Sequence, residues 1–86
     1  MIILSKADEI FDLEGFNKTY YTRQGTLTTK EIAEVIVYEY YNLENELETQ
    51  IEFYIFDEEI GIQGLITKHL WKAINEKVKE LGWLDE

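Results

Sequence analysis

The spacing of apolar residues gives its clearest signal at the C-terminal end. Ile66, Leu70, Ala73, Ile74, Val78 and Leu81 recur at helical intervals and predict an amphipathic helix over about residues 65–81. Gly82 stands where a left-handed cap would end it, and Trp83 can pack back on Val78. Near the other end, Ser5 with Asp8 three residues on reads as an N-cap. Ala7, Ile10 and Phe11 follow it, and Gly15 stands at the C′ position, so a short helix over about residues 6–14 is expected. Met1–Leu4 ahead of it reads as a brief strand.

Between these helices the pattern changes. Lys18–Thr28 is rich in Thr and Tyr around Gln24-Gly25, which predicts a β-hairpin or ribbon. Thr28-Thr29-Lys30-Glu31 has the form of a capping box. Ile32, Ala33, Ile36, Val37, Tyr40 and Leu43 then share one broad helical face, with Glu31, Glu34, Tyr38 and Asn42 opposite, so a central helix is expected. The next stretch supports two readings. As a strand, Leu47, Thr49, Ile51, Phe53 and Ile55 point one way and Glu46, Glu48, Gln50, Glu52, Tyr54 and Phe56 the other. As a helix, Ile36, Tyr40, Leu43, Leu47, Ile51 and Tyr54 continue one stripe. The strand is favoured, because Gln50–Phe56 sets too many bulky residues side by side for a one-sided helix. Asp57-Glu58-Glu59 reads as a turn and Ile60-Gly61-Ile62 as a return strand.

The expected fold is therefore α+β: one domain over residues 1–86, with a short antiparallel sheet packed against a central and a C-terminal amphipathic helix. A mostly α bundle is the alternative.

Composition narrows the function classes. The 86 residues are 45% hydrophobic and include twelve aromatics, too apolar for a disordered chain despite a net charge of −10. The lack of cysteine removes any disulfide framework or thiolate chemistry and makes a cytoplasmic setting the default. No uncharged run approaches the ~20 residues of a membrane span, and the N-terminus lacks the basic segment of a signal peptide. A chain this acidic is repelled by nucleic acids and anionic membranes, which leaves proteins with basic surfaces as the expected partners.

The charge is concentrated. From Glu31 to Thr67 there is no Lys or Arg, yet there are ten carboxylates. On the strand reading, Glu46, Glu48 and Glu52 form a row with Gln50 filling the gap, residues two apart being separated by ~6.6 Å. Such a row can enter an Arg/Lys groove built for a phosphate backbone. Glu31, Glu34, Asp57, Glu58 and Glu59 extend the patch, and Tyr38, Tyr54 and Phe56 offer aromatic anchors. The plainer reading is a solvated face whose charges keep a strand from pairing edge to edge.

Other candidates carry less. Lys68, Lys72 and Lys79 lie on one arc of the last helix, but Glu76 and Glu80 flank it and a basic footprint for DNA is missing. Lys77 falls in the apolar stripe, where its stem is expected to cover hydrophobic surface while its ammonium reaches water. His69 has no second histidine or cysteine beside it. Asp57-Glu58-Glu59 lacks the ligand spacing of a calcium loop, and Gly61-Ile62-Gln63-Gly64 matches no phosphate-cradling motif. No catalytic residue, metal or cofactor is expected, and the chain reads as a non-enzyme.

The expected function is that of a small acidic inhibitor occupying the basic nucleic-acid-binding groove of a partner protein, without contacting nucleic acid itself. In overall type, and by composition alone, the chain is similar to the acidic inhibitors that phages and other mobile elements encode against host nucleases, repair enzymes, restriction systems and CRISPR effectors. The alternative is a small regulatory or assembly module that docks through aromatics such as Tyr40, Tyr41, Tyr54 or Trp83. It could do so as a homodimer, with the acids serving only solubility.

Overall fold

Ser5 begins the first helix as expected of it: in the computed structural model, which describes residues 5–83, its hydroxyl accepts from the Asp8 amide at 3.1 Å. The strand expected for Met1–Leu4 lies outside the described residues. Helix α1 runs Lys6–Leu13. At its end Gly15 takes φ 87°, with Gly15 N–H bonded to Asp12 O and Phe16 N–H to Phe11 O. This is the two-bond left-handed cap, and its usual apolar contact is present as Phe11 and Phe16 rings at 5.7 Å.

Helix α2 runs Lys68–Glu80, capped by the Thr67 hydroxyl. It closes with Gly82 N–H on Lys79 O and Trp83 N–H on Val78 O, the same motif. The expected helix begins three residues late because Thr67 is its cap. The helices pair with each other in one unit formed by residues up to 16 and from 66 onward. Ala7 and Phe11 of α1 and Leu70, Ala73 and Ile74 of α2 are buried.

One expectation fails inside this pair. The Lys77 ammonium does not reach water: the residue is 2% exposed. Its ammonium is 3.7 Å from Asp8 and also pairs with Glu80. A cation in an apolar stripe is held there by two carboxylates, one from each helix, rather than by solvent.

The second unit, Asn17–Leu65, is a four-stranded antiparallel sheet in sequential order. Its strands are β1 Asn17–Tyr21, β2 Val35–Tyr41, β3 Leu47–Tyr54 and β4 Glu59–Gln63. Between β1 and β2 the chain turns at Thr22–Gly25 and returns along β1, with Leu27 bridging Tyr21. That is the expected ribbon. A single 3₁₀ turn at Lys30–Ile32 follows.

The central helix expected over Glu31–Leu43 is absent; the segment is β2. The run Val35-Ile36-Val37-Tyr38-Glu39-Tyr40-Tyr41 consists almost wholly of β-branched and aromatic residues. Val35, Ile36, Val37 and Tyr38 are all buried. A run whose side chains are buried on both faces shows no alternation, and an unbroken apolar run also contains a helical stripe. The mostly α alternative is excluded with it.

Strand β3 matches its expected faces over most of its length. Thr49, Ile51 and Phe53 are buried, and Gln50, Glu52 and Tyr54 between them are partly open. Ile51 and Phe53 share their face with Ile36 and Tyr38, and the Tyr38 and Phe53 rings meet edge-on at 5.7 Å. Register slips at the far end: Tyr40 faces Thr49, Tyr41 faces Leu47, and Glu48 is the extra residue. The bulge turns Leu47 out beside Tyr41, each 40% exposed.

Candidate functional site

The open face of the sheet is set by register. Pairing aligns Tyr21, Val35, Tyr54 and Glu59 across the four strands. The next row on this face is Thr19, Val37, Glu52 and Gly61, and the next is Asn17, Glu39, Gln50 and Gln63. Directly paired residues project to the same side. Glu39, Glu52 and Glu59 therefore lie on one face, around the buried side chains of Val35 and Val37.

Two local devices shape this face. Gly61 lies opposite Glu52, and a Cβ there would stand 3.1 Å from Glu52 Oε1 and 3.5 Å from Tyr54 Cε2. Its missing side chain is the room in which both residues lean over β4. The Tyr54 phenol and the Glu52 carboxylate share this space. Burial first, then the neighbouring Glu52 and Glu59 carboxylates, push the phenol above its usual range.

Across Val35 and Val37 lies a cavity of about 230 Å³. Tyr21, Glu39, Gln50, Glu52 and Tyr54 stand around it, with Arg23 at one end. Every lining residue belongs to the sheet unit.

The expected binding residues fall into three groups. Glu52, Tyr54 and Glu59 are brought together on the open face, while Glu48 is the exposed extra residue of the β3 bulge. Glu34, Phe56 and Asp57 are drawn to Arg23 instead. Its guanidinium is 3.4 Å from Glu34, 3.3 Å from Asp57 and 5.7 Å from the Phe56 ring centre, and its backbone N–H donates to Glu34 at 2.9 Å. Their charge is largely answered within the chain. The remainder stand apart: Glu31 is on the 3₁₀ turn, Glu58 is in the β3–β4 turn at φ 54°, and Glu46 precedes β3.

Glu46 is bound into the β2–β3 turn. The Asn42 side-chain oxygen accepts from the amides of Glu44 and Glu46, Asn45 takes φ 61°, and the Asn42 amide reaches the Glu46 carboxylate at 3.4 Å. The expected row of Glu46, Glu48 and Glu52 is thus shorter along β3, and wider across the sheet.

Sequence reasoning missed Glu39, Val35, Val37, Tyr21 and Arg23. Had the β-branched run at 35–41 been taken as a strand, it would have placed Val35, Val37 and Glu39 on one face. Nothing in the sequence alone signals Arg23.

Among the described residues, Glu39, Glu48, Glu52 and Glu59 form no ion pair. Also among these residues, no cluster of three or more carboxylate or imidazole groups has metal-binding geometry, and no helix is long and apolar enough to cross a membrane. No family model, curated protein or solved structure matches the chain.

Proposed function

We propose that the chain is a protein-binding inhibitor whose open sheet face occupies the basic nucleic-acid-binding groove of a partner in the cytoplasm. The observation that carries this reading is the set of three carboxylates on three neighbouring strands, Glu39, Glu52 and Glu59, with no cation paired to them among the described residues. Strands hold these charges in fixed register, so the charge pattern is preorganised rather than a property of mobile tails. A groove lined by Arg and Lys meets phosphates at intervals of a few ångströms and is complementary to such a surface. The nearby Tyr21 and Tyr54 rings supply contact area at low entropic cost. The reading assigns no catalytic step and no cofactor to the chain. It makes the protein similar in action to the acidic inhibitors of mobile elements.

The test is competition. A partner retained on the immobilised protein should be released by duplex DNA or RNA and by added salt, since exposed charges are screened beyond ~8–10 Å at physiological ionic strength. Retention indifferent to both would refute mimicry and favour docking through exposed aromatics such as Tyr41.

A further inference from the structure

We propose that the cavity over Val35 and Val37 receives a single arginine side chain of the protein partner; this rests on the function proposed above and names what the centre of the face recognises.

The lining specifies the occupant. The floor is apolar, formed by two valines that are 5% and 3% exposed. Glu39 lies directly across from Gln50 and diagonally from Glu52, and such diagonal neighbours stand ~7–8 Å apart at the backbone. Glu39, Gln50 and Glu52 thus all border the apolar trough, Glu39 and Gln50 at one end of it. A long aliphatic stem with a cationic head matches that order: methylenes over the valines, charge between the acids. The volume, about 230 Å³, is below the ~300–1,000 Å³ of sites for drug-sized ligands and fits one side chain.

Arginine suits the trough better than lysine. Its planar fork presents five donors, which two separated carboxylates and a Gln oxygen can accept together, and its flat faces stack on the flanking Tyr21 and Tyr54 rings. An ammonium is a compact, strongly hydrated charge that loses more on entry. Neutral or anionic occupants would leave Glu39 and Glu52 covered without a counter-charge, a large cost. The chain already displays this mode of recognition at the edge of the same cavity. Arg23 is held between Glu34 and Asp57 and over the Phe56 ring. The proposed guest repeats that arrangement with Glu39, Glu52 and the two tyrosines.

The test uses isotope-labelled protein titrated with three blocked amino-acid amides: N-acetylarginine, N-acetyllysine and N-acetylcitrulline. The proposal expects saturable amide shifts confined to Val35, Val37, Glu39, Gln50, Glu52 and Tyr54. Affinity for the arginine probe should exceed that for the lysine probe by about tenfold, and citrulline, which keeps the shape and lacks the charge, should have no effect. Glu39→Gln and Glu52→Gln should each weaken the arginine response, in spectra whose dispersion shows the fold retained. Shifts spread evenly over the acidic surface, or equal for arginine and citrulline, would overturn the proposal. A partner lost on charge reversal of the face but unaffected by Glu39→Gln or Glu52→Gln would reject the arginine pocket while leaving the function standing. A partner indifferent to the reversal would reject the function itself.

Discussion

Tyr54 and Glu52, two residues apart on the same face of β3, both fill the space that Gly61 leaves open on β4: a Cβ at Gly61 would stand 3.1 Å from Glu52 Oε1 and 3.5 Å from Tyr54 Cε2. Burial first, then the neighbouring Glu52 and Glu59 carboxylates, favour the protonated phenol, so its pKa lies above the ordinary value of 10.0. Because the folded pKa is the higher one, this contribution to stability is complete below the unfolded value and is lost as pH rises through the folded value. Phenolate absorbance followed against pH should show one tyrosine titrating late. Glu52→Gln should bring that titration down without fully normalising it, because burial remains. An unchanged titration would contradict the influence of Glu52 on the phenol.

Gly64 is the position where a side chain is least tolerable. It takes φ +98°, and a Cβ would stand 2.4 Å from the Glu48 carbonyl oxygen and 3.0 Å from Thr49 Cα. Gly64→Ala should cost roughly 3 kcal/mol or more, through strained backbone and a clash with backbone that cannot yield. Gly25 has φ +85° and nothing within 4 Å of its would-be Cβ. Gly25→Ala should therefore cost only about 1 kcal/mol from conformation. Denaturant melts of the two variants test the contrast.

The charge cluster between the helices makes a pH prediction. Burial works to raise the Glu80 carboxyl, but the hydrogen bond and charge of Lys77 and the Ser5 hydroxyl outweigh it and hold the group below 4.5. With a depressed folded pKa, the stability it confers is present above the unfolded value and is lost as pH falls through the folded one. Lys77→Ala should cost about 2–4 kcal/mol at neutral pH, leaving Asp8 and Glu80 without their cation, and should flatten the acid limb of the stability curve. Circular dichroism melts from neutral to acid pH would show both effects.

Thr19 offers a gain. Its hydroxyl oxygen is buried and has no hydrogen-bond partner among the described residues, although it lies in β1 opposite Val37. Thr19→Val keeps the shape, favours the strand and removes the unsatisfied group, so it should stabilise by about 1 kcal/mol, or roughly 4–8 °C in Tm for a domain of this size. A lower Tm would contradict the assignment.

The legible and illegible parts of this fold divide along physical lines. Ser5, Gly15, Thr67 and Gly82 act through local backbone geometry, and both helices were readable from them. Strand β3 was readable because one face is buried and the other open, which writes an alternation into residues 49–54. In β2 the side chains of residues 35–38 are buried whichever face they take, so its apolar run carries no period and Ile32, Ile36, Tyr40 and Leu43 mimic a helix. The site inherits that difference. Glu52 and Tyr54 followed from β3 alone. Glu39 and the valine floor required the β2 register, and the removal of Glu34 and Asp57 from the free acidic set depended on Arg23, whose partners are 11 and 34 residues away.

The free carboxylates of the open face carry the proposed binding. The decisive measurement is the affinity of the captured partner for wild-type protein and for the triple variant Glu39→Lys, Glu52→Lys, Glu59→Lys, with folding of the variant checked by circular dichroism. Loss of binding by about a hundredfold or more is predicted, since reversed charges would face a basic groove. Equal affinity in a folded triple variant would contradict the claim that this face binds.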